Sequence, residues 1–200
     1  MDRSKYIGGS DAAALMGENK YKAVRSVWER LRGKKQPKFE SPHIDRGNYL
    51  EPVVEQWITE NMDSTFNSDK MYDRYDAGDD SDQIFLQHPD NPALAGHPDG
   101  ISEGHPLTAA NVLWEIKCPT SYSVEKIERH GLPPRYKWQV RYYMHLANMT
   151  YTIDKAKVCV WSCDDWNDPI IIEVPYNAEL GRELVERAKD VLFAAQMGQE

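Results

Sequence analysis

The chain has 200 residues, 40% of them hydrophobic, and a formal net charge of −8. A chain of this size can enclose a full hydrophobic core, so we expect one domain over residues 1–200. Its apolar runs are all shorter than the roughly 18 residues of a membrane helix, and its N-terminal sequence lacks an apolar signal-peptide segment. These features exclude a protein with membrane-spanning helices and predict a soluble cytoplasmic protein.

The charges are unevenly distributed along the chain. Residues 23–40 contain six Lys or Arg and two Glu, whereas residues 60–82 contain eight acidic and two basic residues. Because salt screens each charge beyond about 10 Å, the local balance matters more than the total. This segregation is compatible with a nucleic-acid track on one side of the protein, and two solvated faces explain it equally well.

The cysteines do not indicate a disulfide framework or a zinc site. There are three of them, Cys118, Cys159 and Cys163, which is an odd number without zinc-like spacing. We therefore predict reduced thiols in or near the core.

The N-terminal segment predicts a short helix. Ser10 is a favourable N-cap, Asp11 complements the helix dipole, and Gly17 is a typical C-terminal stop. Gly8 and Gly9 precede this helix and leave backbone N–H groups open to an anion. Alone, this feature is weak, because most helix starts of this kind bind only water.

Two further helices are predicted in the first third of the chain. Residues 23–32 and 44–62 carry apolar side chains at helical spacing, and a basic loop over residues 34–42 separates them. Pro52 lies inside the second helix and removes a backbone hydrogen bond, which predicts a bend or a later start. Strand-like patterns follow in residues 70–75 and 83–88, around an acidic turn.

The most informative stretch comes next, in residues 96–117. It contains Asp99 in a His-Pro-Asp-Gly sequence and ends in an apolar strand that carries Glu115, Ile116 and Lys117. Residues i and i+2 of a strand point to the same face, so Glu115 and Lys117 share a face while Ile116 points into a core. If the two arms of this stretch pair as a hairpin, Asp99 lies opposite them.

Two carboxylates and an ammonium on one patch suit a hard divalent cation, since Asp and Glu supply the oxygen ligands that Mg²⁺ accepts. The neighbouring strand residues are apolar, so both charges of the Glu-Ile-Lys segment fall where burial is expected and where they need partners or a metal. Pro119 then ends the strand, because it has no N–H to donate. A lone Glu-x-Lys is more often a solvated cross-strand pair, and that alternative remains open at this point. Asp90, in a second His-Pro-Asp sequence, is followed by Asn91 and Pro92, which predict a turn rather than a site.

The C-terminal half alternates helices and strands. A helix is predicted over residues 121–130, and the next, over residues 136–148, places Tyr136, Gln139 and Tyr143 on one stripe. Aromatic stripes at helical spacing usually face a core. Two β-branched runs and an amphipathic helix follow in residues 155–163, 170–175 and 179–197. Together these elements predict an α/β fold with a mixed central sheet flanked by helices.

The His-Pro-Asp-Gly and Glu-Ile-Lys-Cys-Pro segments resemble the PD-(D/E)xK nuclease core, and in particular the YqaJ-type viral recombinase or lambda exonuclease family. Further matches follow the family's order and spacing: Arg3 and Ser10 seven residues apart, the segment around Glu51, and Tyr136 and Gln139 three apart. Each match is weak alone, whereas the set spans nearly the whole chain. The resemblance implies the PD-(D/E)xK restriction-endonuclease-like fold, with the active site at one end of the central hairpin.

The resemblance also implies a site for two Mg²⁺ ions, for which Mn²⁺ can substitute. In the family pattern, Asp99, Glu115 and the carbonyl of Ile116 bind one ion, and Glu51 contributes directly or through water. Lys117 positions or deprotonates the attacking water.

Other family positions imply contacts with DNA. Gln139 holds the water or the scissile phosphate, and Tyr136 lies beside it. Arg141 stands where lambda-type members often have a second glutamine, which leaves its role open, and an arginine there is compatible with a DNA phosphate track. By the same resemblance, Arg3 and Ser10 bind the 5′-phosphate of the DNA end. Ile44 separates the terminal base pairs.

The implied activity is processive 5′→3′ digestion of linear double-stranded DNA, which leaves 3′ overhangs for phage-type recombination by strand annealing. The implied partners are DNA ends, two further copies of the chain in a ring-shaped homotrimer, and a single-strand annealing protein in the host cytoplasm. Two alternatives remain, namely a PD-(D/E)xK endonuclease and a DNA end-binding module that has lost catalysis.

Overall fold

The computed structural model describes residues 3–35, 42–68, 84–103, 110–165 and 167–198. Its strands are β1 (Leu86–His88), β2 (Asn91–Gly96), β3 (Gly100–Ser102), β4 (Asn111–Lys117), β5 (Ile153–Val160) and β6 (Ile170–Pro175). Its helices are α1 (Ala12–Leu15), α2 (Val24–Leu31), α3 (Pro42–Asn61), α4 (Ser121–His130), α5 (Pro134–Ala147) and α6 (Ala178–Met197). Two 3-10 turns, Arg3–Lys5 and Gly9–Asp11, precede α1. None of the helices described here is both long and apolar enough to cross a membrane.

The described strands form a mixed sheet in the order β3-β4-β5-β6 and a separate β1-β2 ribbon. β4 and β5 are parallel, because α4 and α5 carry the chain back between them, whereas β3–β4 and β5–β6 are antiparallel neighbours. The predicted α/β fold with a mixed sheet flanked by helices is therefore confirmed.

Successive side chains of β4 point to opposite faces of the sheet, and both faces are buried. Leu113 packs in the larger core, to which α5 and α6 contribute, whereas Trp114 and Ile116 pack on the other side with Val54 and Ile58 of α3. Because helices cover both faces, charged side chains near the end of β4 are withdrawn from water. Such groups cost free energy unless other groups compensate them.

The N-terminal turn is organised by Asp11 rather than by Ser10. The buried Asp11 carboxylate accepts a hydrogen bond from the Gly8 backbone N–H at 3.0 Å, and it pairs with Arg30 at 2.7 Å and with Lys22. Ser10 is exposed and lies inside the 3-10 turn. The prediction that Ser10 is the N-cap is therefore wrong, because Asp11 takes that position at the start of α1.

Two local predictions differ from the structure. Helix α3 continues through Pro52, so the later start is excluded and a bend at the proline stays a prediction; packing of α3 against the sheet offsets the lost hydrogen bond. Asn91 and Pro92 begin β2 instead of forming a turn, and the tight turn includes the exposed Asp90. The other described helices and strands agree with prediction to within a few residues. The strand predicted over residues 70–75 and the acidic turn after it lie outside the described residues.

Candidate active site

The predicted hairpin brings Asp99 and Glu115 together at one end of the sheet. β3 pairs with β4 in the register Gly100 to Trp114, so Asp99, one residue before β3, lies beside Glu115. The backbone N–H of Ile116 donates to Asp99 Oδ2 at 2.6 Å. This bond holds the Asp99 carboxylate against the strand that carries the other charged groups.

Lys117 lies at the centre of this cluster. Its Nζ donates to Glu115 Oε1 and, at 2.9 Å, to the carbonyl of Ile116, and it is 3.9 Å from Asp99 Oδ2. Burial alone would lower the pKa of Lys117, but the two carboxylates raise it above its usual value. The two carboxylates therefore favour the charged ammonium form of Lys117. Its predicted role, to position or deprotonate the attacking water, stays a prediction.

Glu115 is fully buried and only partly satisfied. Its Oε1 also accepts a hydrogen bond from Gln139 Nε2 at 2.5 Å, so α5 contributes directly to the site. Its Oε2 is buried and has no hydrogen-bond partner among the described residues. Burial and the charge of Asp99 raise the pKa of Glu115. A buried carboxylate oxygen of this kind is a good candidate for a metal ligand.

The residues of this cluster fit a divalent cation. Within the described ranges, no three His, Cys, Asp or Glu side chains are already arranged around one metal position. The Lys117 ammonium instead lies among the three oxygens that were predicted above to bind Mg²⁺, those of Asp99, Glu115 and the Ile116 carbonyl. A position that accommodates one cation among hard oxygen atoms, beside an unsatisfied carboxylate oxygen, suits Mg²⁺ chemically.

Glu51 belongs to the same electrostatic environment. It lies on α3 and is half-buried. Burial, together with the negative charge of Asp99, raises the pKa of Glu51 to about 7. A carboxylate that is destabilised by neighbouring carboxylates gains most from a shared cation. The structure thus places Glu51 on the predicted helix and within electrostatic range of Asp99 and Lys117, while its role at the metal stays a prediction.

Tyr143 lies at the candidate site, although the sequence analysis placed it only on the helical stripe with Gln139 and gave it no role. Its hydroxyl accepts a hydrogen bond from Gln139 Nε2 at 3.4 Å, one helical turn away on α5. Its ring fills the space beside two glycines, Gly9 and Gly96, and a Cβ built at Gly9 would lie 2.5 Å from that ring. Tyr143 therefore connects the N-terminal turn to the carboxylate cluster. The i, i+4 spacing of Gln139 and Tyr143 was the available sequence signal.

The remaining predicted site residues are placed less completely. Tyr136 lies next to the cluster, with its ring centre 5.7 Å from Lys117 Nζ. Arg141 follows Gln139 by two residues, which turns it to another face of α5, and its guanidinium lies 4.8 Å from the Trp138 ring centre. Arg3 and Ile44 lie in the first 3-10 turn and in α3, and their side chains are outside the described part of the structure.

Several solved structures share this fold. An alkaline exonuclease (LHK-Exo) from Laribacter hongkongensis matches with a TM-score of 0.71 and 17% identity, over 98% of this chain and 90% of that chain. The same protein in complex with dAMP gives a TM-score of 0.72, with 16% identity over the same shares. A phage related exonuclease from Haemophilus somnus 129PT gives 0.53 with 15% identity, over 96% and 92%. The chain thus has the PD-(D/E)xK-like fold of phage-type exonucleases.

A family assignment follows from the sequence itself. The family model of the YqaJ-like viral recombinase domain matches residues 1–150. The chain therefore belongs to the YqaJ-like viral recombinase family, and the resemblance drawn from its motifs is confirmed. No curated protein sequence matches it significantly.

Proposed function

We propose that the protein is a Mg²⁺-dependent nuclease that digests linear double-stranded DNA from its 5′ ends and leaves 3′ overhangs for recombination by strand annealing. The observation that carries this proposal is the cluster of Asp99, Lys117 and Gln139 around the buried Glu115 at the end of the sheet, with one unsatisfied carboxylate oxygen. Membership of a viral recombinase family supports DNA as the substrate.

The carboxylates of Asp99 and Glu115 and the carbonyl of Ile116 would hold the metal, with Glu51 beside them. A bound Mg²⁺ or Mn²⁺ supplies positive charge to the reacting phosphate and lowers the pKa of water at the site. Two ions are proposed, since Glu51 adds a further carboxylate whose pKa is raised in part by Asp99. The protein's own contribution is to fix these oxygens in a region that is largely closed to solvent.

Lys117 and Gln139 have distinct roles in the proposed reaction. Lys117 positions or deprotonates the attacking water, and its ammonium form donates hydrogen bonds and offsets negative charge on the phosphate as the transition state forms. Gln139 is held between Glu115 and Tyr143, and its amide orients the attacking water or a phosphate oxygen. Hydrolysis breaks the bond between phosphorus and the 3′ oxygen of the terminal nucleotide. This releases a 5′-mononucleotide and leaves a new 5′-phosphate on the shortened strand.

That new 5′-phosphate gives a physical reason for digestion from ends. We propose that Arg3 and Ser10 bind the terminal phosphate and that Ile44 separates the terminal base pairs. The Gly8 N–H, which the sequence predicted to be open to an anion, takes no part because it donates to Asp11. Tyr143 packs against Gly9 and accepts a hydrogen bond from Gln139, so one side chain spans the distance between the anchor and the cluster. An anchor at a fixed distance from the cluster selects ends over internal phosphodiesters.

Assembly and partners are further parts of the proposal. We infer a ring-shaped homotrimer around the DNA, which would make digestion processive, and a single-strand annealing protein that loads on the exposed strand in the host cytoplasm. A cyclic three-fold assembly is ordinary symmetry for identical chains. Light scattering on the purified protein tests the trimer, which should have three times the 23.0 kDa mass of one chain.

Digestion of a linear duplex with one 5′-phosphate end and one 5′-hydroxyl end tests the function. In Mg²⁺, we expect loss of one strand from the phosphorylated end, release of mononucleotides, and an untouched closed circular DNA. Nicking of the circular DNA would indicate that the protein is an endonuclease and not an exonuclease. Absence of cleavage in Mg²⁺ and Mn²⁺, with retained binding to ends, would leave a DNA end-binding module.

A further inference from the structure

A groove of about 510 Å³ lies beside the active site and takes no part in the mechanism above. One wall is the loop at residues 18–21, and the other is formed by α4 and the segment 131–135 that leads into α5. This volume lies within the roughly 300–1,000 Å³ that is usual for small-molecule sites. The groove is therefore large enough to hold a small ligand.

The groove has an apolar floor and an aromatic rim. Ile127 and Leu132 are buried beneath it, and two tyrosines stand at its edges. Tyr21 is 83% exposed and Tyr122 is 65% exposed. Exposed tyrosines contribute little to the stability of a core, whereas an aromatic face beside an apolar floor is a surface on which a nucleobase can stack.

The charge of the groove is opposite to that of the whole chain. Lys20, Lys126 and Arg135 line it against a single acidic residue, Glu18, in a chain of net charge −8. Among the described residues, no salt bridge engages these three cations, and Lys126 Nζ lies 4.3 Å from the centre of the Tyr122 ring. Cations interleaved with exposed aromatic rings are the usual components of a surface that binds single-stranded nucleic acid.

The loop that carries Tyr21 is held in place before any ligand binds. The side chain of Asn19 accepts hydrogen bonds from the backbone N–H groups of Tyr21 at 2.9 Å and Lys22 at 3.2 Å. Lys22 in turn pairs with the buried Asp11. An exposed aromatic side chain on a fixed backbone loses little conformational entropy on binding.

The groove is continuous with the catalytic cluster. Arg135 lines it, and its guanidinium lies 4.6 Å from the centre of the Tyr136 ring and 5.9 Å from that of Tyr21. The same Tyr136 ring is 5.7 Å from Lys117 Nζ. A strand whose phosphate lies at Lys117 therefore has neighbouring nucleotides within reach of the groove.

We propose that this groove binds unstacked nucleotides of a single DNA strand, with bases on Tyr21 and Tyr122 and phosphates at Lys126 and Arg135. The assignment to the DNA of the nuclease rests on the proposed function above. A free mononucleotide has the same base and phosphate chemistry, so the test distinguishes the strand from the released product.

The test measures binding without cleavage. In EDTA, fluorescence anisotropy of a short oligothymidine with a 5′-hydroxyl end reports strand binding, because the missing phosphate removes the end anchor. Relative to wild type, Tyr21→Ala, Tyr122→Ala and Lys126→Ala are each expected to weaken binding about tenfold. Matched controls are Phe193→Ala and Arg187→Ala, an exposed aromatic residue and an exposed cation on α6, which should bind as wild type does. Thermal unfolding of each variant checks that it is folded.

The outcomes separate the inference from the proposed function. Unchanged oligothymidine affinity in all three groove variants would overturn the proposal that the groove binds single-stranded DNA, even if wild type digests phosphorylated duplex. Loss of blunt-duplex binding with normal single-strand binding would also overturn it, since the surface would then contact duplex. If the groove variants lose affinity but the wild-type protein cleaves no DNA, the proposed binding site would be supported and the proposed nuclease activity would be refuted. Competition by dAMP that disappears in Tyr21→Ala would support the nucleotide site and identify the released product as a ligand.

Discussion

Glu115 is fully buried in the sheet, yet one of its carboxylate oxygens has no hydrogen-bond partner among the described residues. An unsatisfied buried carboxylate oxygen costs free energy, and Lys117 and Gln139 offset only the other oxygen. Burial beside Asp99 raises the cost further, as the raised pKa of Glu115 indicates. A site that tolerates this arrangement is one in which a bound cation completes the charge balance.

Substitution of Glu115 by Gln keeps the shape of the side chain and removes its charge. We expect the rate of nucleotide release from linear duplex in Mg²⁺ to fall at least about 1,000-fold, equivalent to about 4 kcal/mol of transition-state stabilisation. Duplex binding in EDTA should remain, since the carboxylate does not contact DNA without the metal. Glu173→Gln, at an exposed glutamate on β6, is the matched control and should retain full activity. A Glu115→Gln enzyme within tenfold of wild type would contradict the assigned role.

Gly9 illustrates how close packing can constrain a residue that carries no side chain. A Cβ at this position would lie 2.5 Å from the Tyr143 ring, which is fixed in turn against Gly96. We expect Gly9→Ala to lower the free energy of unfolding by about 1–3 kcal/mol, the usual cost of overpacking. Chemical denaturation measures this change.

Gly47→Ala provides the control for that substitution. Gly47 lies in α3 with nothing within 4 Å of its Cβ position, so alanine there should raise the free energy of unfolding by up to about 1 kcal/mol. Equal effects of the two substitutions would show that Tyr143 does not constrain Gly9.

At the scale of elements, Asp11 joins the N-terminal turn to α2. Its buried carboxylate binds the Gly8 N–H, Lys22 and Arg30, and Arg30 also donates to the Tyr6 carbonyl at 3.0 Å. Burial alone would raise the pKa of Asp11, but the two cations more than offset it and lower the pKa below its usual value. The turn that carries Ser10 thus depends on an ion pair that is formed across two elements.

Asp11→Asn tests this dependence through pH. At pH 7, loss of the buried pair should cost about 3–5 kcal/mol of unfolding free energy, because two cations lose their partner. The folded pKa is below the unfolded value of about 3.9, so the contribution is fully present above that value and is lost only as the pH falls through the lower folded pKa. The difference in unfolding free energy between wild type and variant, measured with denaturant, should therefore narrow progressively as the pH is lowered below about 4.

Glu29, which is partly exposed, is the comparison for that experiment. Its carboxylate pairs with Lys34 at the surface, so Glu29→Gln should change stability little at either pH. A difference between wild type and Asp11→Asn that is the same at pH 7 and pH 3.5 would contradict the ion-pair account.

At the scale of the whole molecule, the two cores are complete without a metal. The buried clusters on both faces of the sheet consist of hydrophobic side chains, and the candidate cation site lies at their edge. Metal removal should therefore abolish cleavage and leave the fold intact. The metal should stabilise the folded state only through binding.

Thermal unfolding measures that linkage. Mg²⁺ at about 100 times its Kd should raise the free energy of unfolding by about 2.7 kcal/mol, or Tm by about 5–10 °C for a chain of this size. The same ionic strength from a monovalent salt is the control. We expect the response to be lost in Glu115→Gln, and an equal response in that variant would place Mg²⁺ elsewhere.

Local pattern predicted the charged part of the candidate cluster. Strand alternation put Glu115 and Lys117 on one face, and hairpin pairing put Asp99 beside them. The place of Gln139 beside them was implied only by the family resemblance, because helical spacing put it on a stripe that would usually face a core. The helices and strands followed for the same reason, because their signals lie within short windows. The single domain over residues 1–200 and the 5′-phosphate contacts of Arg3, Ser10 and Ile44 remain predictions.

Only the tertiary structure decided which distant segments meet. The contact of Gly9 with Tyr143 and the hydrogen bond from the Tyr142 hydroxyl to the Ile7 carbonyl join positions more than 130 residues apart in the sequence. The groove likewise needs α4 and the loop at residues 18–21 to pack side by side. No periodicity in a short window records such pairings, because they arise when α5 packs against the N-terminal turn and brings separate surfaces together.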